Sequence, residues 1–146
     1  MNPVVLQIIA AGLSGLGFAV MFHIRPKYLP LILFGASLGW FIYLFSCRAL
    51  ESRTMPMIIT AMAMTIYSEI FARVVHMPVP VIYTPIVIPL IPGSYLYYSM
   101  RGFITDSNAD FVKYGGMLLE DALGLVLGSL LVLTLFSAAA AKHRKA

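Results

Sequence analysis

Two places in this sequence hold residue types able to do chemistry. Glu69 and Arg73 stand four residues apart in a mostly apolar run, and Pro89-Leu90-Ile91-Pro92-Gly93-Ser94-Tyr95 interrupts another. A charge at the centre of a membrane helix costs roughly 2.5–3.5 kcal/mol on insertion scales, so it has a partner or a pathway. The spacing puts Glu69 and Arg73 on one helix face, with Ala61, Thr65, Ser68 and Ala72 forming a small, polar stripe on the same side. Arg73, nearer the end of its run, reads as the snorkelling partner of an intrahelical ion pair. Glu69, a turn deeper, reads equally as a structural charge and as a group that takes a proton or meets a substrate ammonium.

Five of the nine prolines fall between positions 78 and 92. Each proline inside a helix deletes a backbone hydrogen bond and crowds the preceding turn, at about 3 kcal/mol or more. In hydrocarbon the freed carbonyls need protein or water, so a broken helix is tolerated only where it is buried or lines a cavity. The sequence therefore predicts a break near Pro92-Gly93 and a second half-helix beyond it, with Gly93 or Ser94 as its N-cap. The N–H groups of Gly93 to Tyr95 would then face a substrate carboxylate, aided by the positive end of the half-helix dipole. Proline content alone fits a kinked packing helix equally well.

Other polar residues point to less. Glu120 and Asp121 read as carboxylates in the opening turn of the last helix, where they complement its dipole. Tyr67, Tyr83, Tyr95, Tyr97 and Tyr98 fit aromatic belts better than a polar path. His23, His76 and His143 form no HExxH or paired motif, so neither a metal centre nor a cofactor is expected. Ser94 lacks the G-x-S-x-G setting and a nearby histidine base, and no enzyme activity is expected. The single cysteine, Cys47, excludes an internal disulfide.

The elements that must position these residues follow from composition. The chain has 146 residues, 60% hydrophobic and 11% charged, with a mean hydropathy of +0.90. A soluble fold this small has too much exterior to hide that apolar surface, and disorder needs the opposite composition. The reading is an all-α polytopic membrane protein, a single transmembrane domain over 1–146. A span needs about 20 apolar residues, and five candidates meet that: Val4–Phe22, Leu29–Cys47, Thr54–Val75, the proline-broken Val79–Met100, and about Met117 to Ala141. Met1-Asn2-Pro3 has no basic n-region, so the first run reads as a retained span. The net charge of +4 sits in loops and tail rather than in a continuous stripe, which argues against nucleic acid. Five spans put the termini on opposite sides. Arg25, Lys27, Arg73, Lys142, Arg144 and Lys145 then oppose Arg48, Arg53, Arg101 and Lys113, which favours N-terminus out and C-terminus in. Ala11/Gly15/Ala19, Gly35/Gly39 and Gly124/Gly128 recur at four-residue spacing. Small residues so spaced let helix backbones approach in lipid, and they read as packing within the chain ahead of a subunit interface.

At these residues the sequence resembles the small, membrane-only half of the threonine/serine exporter family. Gly17-Phe18-Ala19-Val20-Met21-Phe22 is similar to the family's "GFA..F" segment. Glu69-Ile70-Phe71-Ala72-Arg73, Pro78 and Ile88-Pro89-Leu90-Ile91-Pro92-Gly93-Ser94-Tyr95-Leu96-Tyr97 resemble its "E..AR....P…IPL.PGS..Y" stretch. The resemblance implies a secondary exporter of small hydrophilic metabolites from the bacterial cytoplasm. Threonine and serine are the named substrates, and two-gene relatives are linked to dicarboxylates such as succinate. It also implies a larger partner subunit in the split form, and carries over Glu69, Arg73, Pro89, Pro92, Gly93 and Ser94 as motif residues.

The expectation is a subunit of an inner-membrane exporter for small carboxylate-bearing metabolites. Pro89, Pro92, Gly93, Ser94 and Tyr95 bind substrate in that reading, Glu69 and Arg73 supply the intramembrane charge, and a larger subunit or a second copy completes the site. The alternative is an assembly subunit that moves no substrate.

Overall fold

The computed structural model describes residues 3–143, with side chains through residue 138. Six α-helices and two short 3-10 turns follow one another: α1 (Pro3–Met21), a turn at Pro26–Tyr28, α2 (Leu29–Ala49), α3 (Met55–Val75), α4 (Val79–Val87), a turn at Ile88–Leu90, α5 (Gly93–Ile104) and α6 (Asn108–His143). Prolines begin these helices more often than they break them. Pro30, Pro56 and Pro80 occupy the first turns of α2, α3 and α4, where no intrahelical N–H bond is required. Two helices end on a left-handed histidine, His23 (φ 56) after α1 and His76 (φ 54) after α3.

Helices α1, α2, α3 and α6 are each long and apolar enough to cross a membrane. Val79–Leu90 and Gly93–Ile104 make a fifth span if taken together, bent by 55° at the break. The chain is thus a polytopic all-α membrane protein with four to five spans.

Small residues set the packing, and within the chain. A Cβ on Gly15 would stand 2.6 Å from Ala36 Cβ, and one on Gly35 would stand 2.7 Å from Ile86 Cδ1 and 2.8 Å from Tyr67 Cε1. At Gly128 it would meet the Ile58 carbonyl at 2.5 Å. At each of these glycines a side chain would collide with a neighbouring helix, the expected logic of association in lipid. The same contacts fix direction. Gly15 abuts Ala36 and Gly39 abuts Met64, so α1–α2 and α2–α3 are antiparallel, whereas Gly124 meets Met57 and Gly128 meets Ala61, so α6 runs parallel to α3. α1 and α6 accordingly point the same way, as an odd number of spans requires. Lys142, Arg144 and Lys145, which carry the orientation margin, lie outside the described side chains.

Buried between α2, α3 and α4 is the apolar core of Ile32, Met64, Tyr67, Ile82 and Ile86. The Tyr67 hydroxyl donates to the Leu31 carbonyl at 2.8 Å. Thr60 and Thr65 turn their hydroxyls back on the carbonyls of Pro56 and Ala61, both at 2.7 Å, which lets a polar residue be buried without a partner on another helix.

The last helix differs from expectation. It begins at Asn108, not near Met117, because the polar stretch is only a tight turn at Thr105–Ser107, with Asp106 left-handed (φ 53). Asp110 occupies the first turn of α6. Glu120 and Asp121 therefore lie about three turns inside the helix, and the dipole explanation for them fails.

Candidate functional site

The break in the fourth span is real and local. After the 3-10 turn, Ile91 is extended (φ −62, ψ 128) and Pro92 (φ −75, ψ 60) takes the N-cap position of α5 with no side-chain cap. Neither Gly93 nor Ser94 is the cap, because proline already supplies a non-helical residue immediately before the first helical one. Gly93 does not have positive φ, and a Cβ on it would meet nothing within 4 Å. The Gly93 N–H donates to the Ile91 carbonyl at 2.7 Å, and the N–H groups of Tyr95 and Leu96 donate to the Pro92 carbonyl at 3.1 and 3.3 Å. Among Gly93, Ser94 and Tyr95, only the Ser94 N–H has no backbone partner. The broken segment thus offers one free amide rather than three.

Ser94 helps line a cavity of about 350 Å³, bounded by Pro89 to Tyr95 on one side and by Trp40, Tyr43, Met57 and Asp121 on the other. The site residues predicted from the proline-rich stretch therefore share one wall. The facing wall was missed. Trp40, on α2, is the single tryptophan, and its indole nitrogen is buried without a hydrogen-bond partner. Asp121 is 3% exposed, and no cation lies within 4.0 Å of its carboxylate among the described residues. Its neighbour Glu120 takes the local cation instead, pairing with Arg53 at 3.7 Å, while the Arg53 guanidinium also lies over the Tyr95 ring at 4.8 Å. A correct start for α6 is the signal that would have turned attention to Asp121.

Glu69 and Arg73 lie elsewhere. Glu69 sits about 18 Å along α3 from Met57, at the roughly 1.5 Å rise per helical residue. Arg73 bonds Glu69 at 3.2 Å, with side-chain exposures of 60% and 11%, and its guanidinium covers the Phe136 ring at 5.0 Å. The predicted stripe is buried as drawn: Ala61, Thr65, Ser68 and Ala72 are all core residues, and Ser68 Oγ has no partner. A larger cavity of about 510 Å³ lies at this end of the bundle, between the α1–α2 and α3–α4 connections, lined by His23, Arg25, Tyr28 and His76. Among the described residues no cluster of His, Cys, Asp or Glu is arranged to hold a metal.

A family model described as "Threonine/Serine exporter, ThrE" matches residues 7–135. The chain belongs to the threonine/serine exporter family. No match emerges among curated proteins or solved structures. The matched region takes in most of α1, all of α2 to α5 and most of α6, including both walls of the cavity and the Glu69–Arg73 pair. Membership makes the chain an exporter-type membrane transporter subunit for small substrates, working in lipid.

Proposed function

We propose that the chain is a subunit of a bacterial inner-membrane secondary exporter, and that the cavity at the broken fourth span binds small carboxylate-bearing metabolites. The observation that carries this reading is Ser94, which lines a cavity at the head of a half-helix and whose amide has no backbone partner. A carboxylate there meets a free N–H and the positive end of α5. Pro89 and Pro92 serve by keeping the backbone out of helical geometry, Gly93 by leaving the cavity side bare, and Ser94 by its amide and hydroxyl. Glu69, buried a helix-length away and held by Arg73, is the proton-responsive group in this scheme. The N-terminus lies outside and the C-terminus in the cytoplasm.

Five spans enclose little room for alternating access, so a larger family subunit or a second copy completes the pathway. α5 supports this: it packs on α6 alone, leaving Leu96, Met100, Phe103 and Ile104 exposed. The same face also favours a second reading, an assembly subunit that carries nothing.

Labelling decides between them. In a Cys47→Ala background, the thiol of Ser94→Cys should react more slowly in membranes when a transported carboxylate is saturating. Unchanged labelling during demonstrable export of threonine, serine or succinate would remove this segment as the binding site.

A further inference from the structure

Asp121 and Trp40 are the two unexplained polar groups on the facing wall. A carboxylate at a mostly buried position carries a desolvation cost that a cation, a proton or hydrogen-bond donors must offset. A buried indole N–H without an acceptor is likewise incomplete. Asp121 lines the cavity together with Ser94, and so does Trp40, although its indole nitrogen is itself closed off. Arg53 pairs with Glu120 and lies over the Tyr95 ring, and it is more than 4.0 Å from the Asp121 carboxylate. The cavity therefore has one acidic residue, and its other polar lining residues, Tyr43, Ser94 and Tyr95, are neutral.

Resting on the binding reading above, we propose that Asp121 is the specificity-determining residue of this cavity, selecting a zwitterionic amino acid and refusing a dianion. The Asp121 carboxylate receives the substrate ammonium. The Ser94 N–H, at the head of α5, donates to the substrate carboxylate. A dicarboxylate finds donors for one end only, and its other end meets Asp121, a like charge in a site of low dielectric. The volume, about 350 Å³, lies in the range of small-molecule sites.

The test uses the full chain in native membranes, with Cys47→Ala and Ser94→Cys as the reporter and labelling rate as the readout. Three probes separate the charges: L-serine, glycerate (serine with a hydroxyl in place of the ammonium) and succinate. Without further change, serine should protect the thiol at a concentration about tenfold or more below glycerate, and succinate should protect least. Adding Asp121→Asn should raise the half-protecting serine concentration about tenfold or more and leave glycerate unchanged or improved. Equal protection by serine and glycerate in the Asp121 protein, or serine protection unaltered by Asp121→Asn, overturns the proposal. The first comparison needs no Asp121 variant, so poor folding of Asp121→Asn leaves the proposal open to refutation. Protection by glycerate or succinate but not serine overturns the role of Asp121 while preserving the break as the site. Protection by none of the three overturns both.

Discussion

Glu120 and Asp121 are adjacent in the chain and opposite in surroundings. The Glu120 side chain is 55% exposed and paired with Arg53 at 3.7 Å, whereas Asp121 is 3% exposed and faces a cavity. One position along a helix turns a side chain by about 100°, enough here to send one carboxylate to the α2–α3 connection and the other inward. The two are functionally separable for that reason. Glu120→Gln should cost little stability, since exposed ion pairs contribute about 0–1 kcal/mol, and its unfolding temperature in detergent should stay close to that of the parent.

Glycines at helix contacts and the glycine at the break should respond in opposite ways. Gly35→Leu and Gly128→Leu push a side chain into Tyr67 and Ile86, or into the Ile58 carbonyl. Overpacking of this kind costs about 1–3 kcal/mol or more, visible as a lower unfolding temperature in detergent. Gly93→Ala meets no protein atom within 4 Å, and its unfolding temperature should match that of the parent.

At the break itself, bulk should act on transport rather than folding. Gly93→Leu fills the cavity and should abolish export while the protein still accumulates in the membrane. Ser94→Ala keeps the free amide and loses a hydroxyl that caps nothing, so export should fall by less than tenfold. A large loss of folded Gly93→Leu protein would instead mark the segment as a packing kink. Quantifying membrane-inserted protein alongside efflux of labelled serine reads both.

Glu69 tests the coupling half of the scheme. Glu69→Gln keeps the shape and removes the charge, leaving Arg73 free to snorkel, as its exposure allows. Export driven by an imposed proton gradient should be lost, while exchange of serine at equilibrium continues. Retained gradient-driven export would make the Glu69–Arg73 pair structural.

Topology is checked with reporters. One fused after Ala146 should report cytoplasm and one before Met1 the outside. Both on one side would mean that α4 and α5 do not together make a crossing.

Much of this was legible in the residues. Apolar run lengths located α1, α2 and α3 to within a few positions, because burial of the backbone in lipid leaves helix as the one local solution for such runs. The proline cluster announced the break, and the four-residue spacing of small residues announced which faces meet. Two things were not legible. The start of α6 was misplaced because Asp106, Ser107 and Asn108 look like a loop, and only the close approach of Gly102 to the backbone of Asp110 and Phe111 shows how tight that turn is. The facing wall was hidden because it is assembled from α2, α3 and α6, whose relative rotation no periodicity records.

The length of α6 has a mechanical consequence. At 36 residues it is about 54 Å long, against a hydrocarbon thickness of about 30 Å. Its first half is clamped to α5, where Tyr114 packs on Tyr95 and Tyr98, and its second half is keyed to α3 at Gly124 and Gly128. Asp121 stands where the one grip gives way to the other. An uninterrupted helix is a stiff rod, so α6 is a lever with its fulcrum beside the cavity. A sideways load on the α5–α6 hairpin, from whatever presses on its apolar flank, arrives as a rotation at Asp121.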